Sequence, residues 1–171
     1  MPTLQPEPWL RGTHSEIAPV PRAAIHAIEL AEEDLARWCG ELTERELSAN
    51  PFGLPSVAFQ LRHIAGSLDR LLTYAEEGQL DEQQIEALNS ETDTDAHRPE
   101  LFNELSAALS RSRERVRILA TNPAALEEPR AVGRKNLPTT VAGLLVHVAD
   151  HTQRHVGQAI TTAKIIRAQR S

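Results

Sequence analysis

Thr139-Thr140-Val141 open a run that continues through Leu145-Val146-His147-Val148-Ala149-Asp150-His151-Thr152-Gln153-Arg154-His155-Val156-Gly157-Gln158. Val141, Leu145, Val148, Thr152, Val156, Ala159 and Ala163 recur every three or four positions, the period of one helical face. The spacing predicts the longest helix of the chain, starting at Thr139, and it carries three of the seven histidines. A four-residue step turns a helix by ~40° and advances it by ~6 Å, so neighbouring members can share one ion at ~2.0–2.1 Å. His147 and His155, ~12 Å apart along the axis, do not share one. Around the helix, His155 lies nearest the centre of the apolar stripe, His151 a little to one side, and His147 well round toward solvent. His151 and His155 therefore face inward together. Unpaired buried imidazoles would cost a few kcal/mol, which a bound metal relieves. Gly157 costs ~1 kcal/mol relative to alanine in a helix interior, which suggests a close helix contact beside it.

Three further helices precede this one. Ala24, Ile28, Ala31, Leu35 and Trp38 mark a first helix from Arg22 onward. After Pro51, Gly53 and Pro55, the residues Val57, Leu61, Ile64, Leu68, Leu71 and Leu72 mark a second that runs toward Gly78. Pro99 starts a third, with Leu101, Leu105, Ala108, Ser112, Val116 and Leu119 on its stripe and Pro123 beyond its end. Between the second and third helices, the polar, acidic segment 79–98 reads as a long crossover with a short helix around Ile85 and Leu88. Residues 122–138, with Pro123, Pro129, Gly133 and Pro138, read as a second connection. The fold class is all-α, a four-helix bundle. Residues 1–21, with five prolines, form an extended arm anchored by Trp9 and Leu10, and residues 22–171 form the bundle domain.

Composition bounds the function. At 171 residues the chain fits one domain, and its aromatic share of 4% and lack of alternating β-branched runs argue against a large sheet. A net charge of −6 disfavours a polyanion-binding surface, so nucleic acid is not an expected partner. Arg111, Arg113, Arg115 and Arg117 alternate around the third helix as a solvated face. No run approaches the ~18 apolar residues of a membrane span, and no basic-then-apolar leader precedes the first helix, so a soluble cytoplasmic protein without membrane partners is expected. Cys39, the one cysteine, forms neither a disulfide nor a thiolate cage and reads as a small buried residue.

Two inward histidines do not complete a catalytic metal site, which commonly has three protein ligands and an open position. His63 sits at the edge of the second helix's stripe, and periodicity alone does not select it. His26 points largely away from its apolar face, His14 lies in the arm and His97 in the crossover, and all three read as surface histidines.

Leu54-Pro55-Ser56-Val57 through Leu61-Arg62-His63-Ile64 resembles the second helix of the DinB-like superfamily of four-helix metalloproteins. The closing helix is more similar still, with Thr140-Val141 followed by His151-Thr152-Gln153-Arg154-His155-Val156-Gly157-Gln158, two histidines four apart and the latter just before Gly-Gln. The resemblance covers roughly Arg22 to Arg167. It implies one ligand from the second helix and two from the last, here His63, His151 and His155. It also implies an up-down-down-up bundle, whose parallel middle helices need a long crossover. The arm and His147 lie outside the pattern.

Three imidazoles suit zinc or nickel first, with ferrous iron and cobalt also compatible. Thr152 stands where a His-Glu-x-x-His protease has its glutamate, so peptide hydrolysis is not supported. Some members of the superfamily present a low-molecular-weight thiol to an electrophile, which makes thiol-dependent S-transfer the leading expectation. A metal-bound thiol is deprotonated without help from a side-chain nucleophile. Water activation by a metal-dependent hydrolase is the second expectation, in which Asp150 and Gln158 would orient groups. A non-catalytic metal-binding or stress-response module that forms homodimers is the third.

Overall fold

The computed structural model describes residues 5–92 and 97–170. The chain is mostly helical. Helix α1, Pro19–Cys39, starts three residues before the expected Arg22. Pro19 and Pro21 fall in its first turn, where the backbone N–H groups have no intrahelical acceptor, so the prolines forfeit nothing there. Its inner face buries Ala24, Ile25, Ile28, Ala31, Leu35 and Cys39. A one-turn helix, α2 (Glu44–Leu47), is closed by a reciprocal capping box between Thr43 and Glu46 and inserts Leu47 into the core.

Helix α3, Val57–Ala75, is capped by the Ser56 hydroxyl, which accepts from the Phe59 N–H at 3.1 Å. Leu61, Ile64, Leu68 and Leu72 are fully buried on it. Each such side chain contributes about 1.5–3 kcal/mol by leaving water. The short helix expected around Ile85 and Leu88 is α4, Glu82–Ser90, and none of its residues is buried. It is held to α3 instead by the Gln84 amide, which donates to Asp69 and to Thr73. Part of the expected crossover, 93–96, and part of the expected arm, including Pro2, lie outside the described residues.

Helix α5, Arg98–Ala120, packs Leu101, Leu105, Leu109 and Val116 inward. Two of its arginines differ from the expected solvated face: Arg113 pairs with Glu32 of α1, and Arg115 bridges Asp69 of α3 and Glu76 just beyond its end at 2.7 and 2.8 Å. Alternation around a helix does not tell solvent from a neighbouring helix, and these two positions face acidic residues of the helices packed alongside.

The second connection contains a hairpin that the sequence reading passed over. Strands β1 (Pro129–Val132) and β2 (Leu137–Thr140) pair antiparallel, with Pro129 opposite Thr140 and Val132 opposite Leu137. Four-residue strands rich in proline give no readable alternation. The hairpin delivers Thr140, whose hydroxyl accepts from the Gly143 N–H at 3.1 Å and starts α6, Val141–Ala168. Helix α6 packs on α1 and α3, and α5 packs on the same two helices. None of the described helices is long and apolar enough to cross a membrane.

The N-terminal segment lies along α1, although not through the residues expected. Trp9 and Leu10 remain 60% and 58% exposed, whereas Pro8 is buried. The ties are polar: Arg11 donates twice to the Glu33 carboxylate, at 2.6 and 2.8 Å.

Candidate metal centre

His151 and His155 stand one turn apart on α6, and both are partly buried, while His147 is exposed. The angular reading of α6 therefore holds. On α3, the ring of His63 stacks on Phe59, with centroids 5.5 Å apart and planes 15° from parallel. That stack turns His63 toward α6, where its ring centroid lies 5.2 Å from His151 and 4.2 Å from His155. The three residues each offer a ring nitrogen, and these donor atoms all lie within 4.8 Å of one another.

The outer nitrogens of two rings are committed elsewhere. His63 Nδ1 lies 2.7 Å from Glu91 Oε2, just beyond α4, and His155 Nδ1 lies 2.7 Å from Gln60 Oε1. A carboxylate oxygen only accepts, so His63 carries a proton on Nδ1, and in the neutral ring the lone pair is the one on Nε2. For Gln60 the orientation follows from a second bond, because its Nε2 donates to Gln158 Oε1 at 2.9 Å and leaves Oε1 to accept from His155. Both imidazoles are thus fixed in the tautomer in which Nε2 can bind a metal. His151 Nδ1 is buried with no hydrogen-bond partner. An unsatisfied buried nitrogen costs about 1–3 kcal/mol, and a metal ion at this cluster fits the demand.

Electrostatics favours the neutral form of His151 and His155. Burial, then the neighbouring His155 and His63, push His151 down to about 4. Burial also lowers His155, with His63 and Arg154 acting in the same direction and Glu91 opposing them. Burial by itself would raise Glu91, but the hydrogen bond from His63 and the charge of Arg70 hold it below the usual carboxylate range. Arg70 Nη1 sits 2.8 Å from Glu91 Oε1, an ion pair whose angles are not those of a hydrogen bond.

The DinB superfamily model matches residues 27–159, well over half of the chain and a span that contains His63, His151 and His155. The chain belongs to the DinB superfamily. It matches no curated protein.

Within this DinB-superfamily chain, several supporting residues were not legible in advance. Gln60 is fully buried, Glu91 is 5% exposed and Arg70 is 9% exposed. Gln60 lies one turn before His63, a spacing that could have marked it. Glu91 comes from a polar connection without periodicity, and nothing local singles it out. Gly66 is the close-approach glycine here, since a Cβ on it would lie 2.7 Å from Arg70 Nη1 and 2.8 Å from Glu91 Oε1. Gly157, expected in that role, has open space where its Cβ would be and lines a cleft of about 530 Å³ with Gln60, Arg154 and Gln158. Gln158 supports His155 through Gln60. Asp150 is occupied by His147 at 2.8 Å and Arg154 at 2.7 Å. His97 is exposed between Glu44 and Glu100, as expected of a surface histidine. His26 differs from its expected surface position and is buried.

Proposed function

We propose that His63, His151 and His155 hold one divalent transition metal, zinc or nickel first, and that the protein is a thiol-dependent S-transferase. The observation that carries the metal reading is the pair of clamps at Nδ1, Glu91 on His63 and Gln60 on His155, beside the unpartnered Nδ1 of His151. When bound, the ion would supply a Lewis acid with an open position that lowers the pKa of a thiol. The chain's own groups favour a thiol over water as nucleophile. Glu91 is engaged by His63 and Arg70, and Asp150 by His147 and Arg154, so neither carboxylate is free to act as a general base. Arg154 lines the cleft beside Gln60, and the guanidinium nitrogens not bonded to Asp150 would meet an anionic group on the incoming molecule.

The helices of this reading form the up-down-down-up bundle of the superfamily, residues 22–171, preceded by an arm at 1–21. Cross-helix partners support it. Gln153 of α6 donates to the Ala27 carbonyl and Arg167 faces Glu41, so α6 rises in step with α1. Arg98 meets Gly40 while Arg113 meets Glu32, so α5 runs against α1. Gln60 meets His155 while Pro55 meets Thr162, so α3 runs against α6.

Cobalt substitution tests the chemistry. Adding small thiols to the cobalt form is expected to produce sulfur-to-metal charge-transfer absorption that is lost in His155→Ala. Cys39 is fully buried and its thiol is pushed by burial up to about 12, so an added thiol is the source of any such band. Absence of a response to every thiol tried would remove the S-transfer reading while leaving the metal site standing.

A further inference from the structure

We infer that His14, His26 and Glu29 form a second divalent-metal site, one that fastens the N-terminal segment to α1. This does not rest on the reading of His63, His151 and His155, since no residue is shared. The three side chains each offer one donor atom, and these atoms lie within 4.8 Å of one another. His26 and Glu29 are three residues apart on α1 and so share a face. His14 comes from the preceding segment, where a left-handed backbone (φ 58°) brings the chain back over the helix.

The donor set has the chemistry of a metal site. Two imidazoles and one carboxylate form a common open zinc set and also suit ferrous iron. At ligand distances of ~2.0–2.1 Å, tetrahedral donors stand ~3.3 Å apart. His14 Nε2 and Glu29 Oε1 are already 2.9 Å apart, and the two rings lie 5.6 Å between centroids. His26 is 8% exposed, and its Nε2 lies 3.1 Å from the Thr13 hydroxyl. Small adjustments of His14 and Thr13 would therefore admit an ion. His26 lines one cavity of about 600 Å³, while His14 and Glu29 line another of about 720 Å³, so the cluster is reachable from solvent. Both histidines precede the segment that matches the superfamily, which begins at residue 27.

The test measures zinc bound to the untagged full chain by equilibrium dialysis. The His151→Ala/His155→Ala protein is expected to retain one equivalent, and adding Glu29→Gln or His14→Asn, which tolerates the left-handed backbone, is expected to remove it. In the otherwise unchanged chain, Glu29→Gln should lower the stoichiometry by one. Zinc-free His151→Ala/His155→Ala protein with native circular dichroism would overturn the site, as would an equivalent that survives both Glu29→Gln and His14→Asn. If that double variant does not fold, an unchanged stoichiometry in Glu29→Gln alone overturns it. In those outcomes the His14–Glu29 ion pair and the Thr13–His26 hydrogen bond are a metal-free clasp.

Discussion

The chain gathers histidines in two places, and they are prepared differently. Between α3 and α6, Glu91 and Gln60 hold the outer nitrogens of His63 and His155, so the inner ones converge without a competing partner. On α1, a ring nitrogen of His14 is taken up by Glu29 and one of His26 by Thr13, so an ion must displace contacts already made. The difference teaches that a metal site is defined by what occupies the far side of each ring as much as by the spacing of the rings. It also orders the two sites: the α3–α6 centre should bind tightly and the α1 clasp more weakly.

The largest effect that bears on this contrast is the loss of a triad imidazole. Tetrahedral protein zinc sites supply ~10–16 kcal/mol from four ligands, so removing His63, His151 or His155 should weaken zinc binding about a hundred- to a thousandfold. His147→Ala, by contrast, should change it only slightly. Competition with a chromophoric chelator measures both, and equal losses at His147 and His155 would erase the distinction drawn along α6. Next comes the far side of the rings. Gln60→Ala and Glu91→Gln should each lower affinity about ten- to a hundredfold while sparing the α1 clasp, because such outer partners orient the ligands.

The architecture was legible because its signals are local and periodic. The stripes of α1, α3, α5 and α6 place the long helices within a few residues, and the angle around α6 separates His147 from His151 and His155. The third member of the triad was available only by resemblance, since His63 sits at the edge of its stripe and is turned inward by Phe59. The clamps were not legible for a different reason. Glu91 reaches His63 across 28 positions, from a segment whose polarity resembles any solvated loop, and long-range partnership of that kind leaves no period. His26 was missed because the segment that covers it is held through scattered contacts such as Arg11–Glu33 and buried Pro8, which leave no period in the sequence.

The two glycines sharpen the same point. Gly66→Ala would push a methyl into the Arg70–Glu91 pair and should destabilise the protein by about 1–3 kcal/mol, with a fall in metal affinity as Glu91 moves. Gly157→Ala meets only open space and should stabilise by about 0.5–1 kcal/mol without altering affinity. Chemical denaturation with and without zinc separates the two, and a destabilised Gly157→Ala protein would restore the close contact first expected there.

The smallest expected effect is on the metal-free protein as pH falls. His151 takes up a proton near 6.5 when unfolded but only at about 4 when folded, so between those values the unfolded chain binds more protons. The part of the stability carried by His151 should decline as pH drops through that window and level off below it, and His151→Gln should flatten the slope between about 4 and 6.5. A melting temperature independent of pH in that interval would mean that His151 is not held neutral by its surroundings.

The most direct measurement is X-ray absorption at the zinc edge on zinc-loaded protein carrying Glu29→Gln, which silences the α1 clasp. One ion per chain is expected, with the scattering of three imidazoles at ~2.0–2.1 Å. An ion with one imidazole or none, or a protein that takes up no zinc, would contradict it.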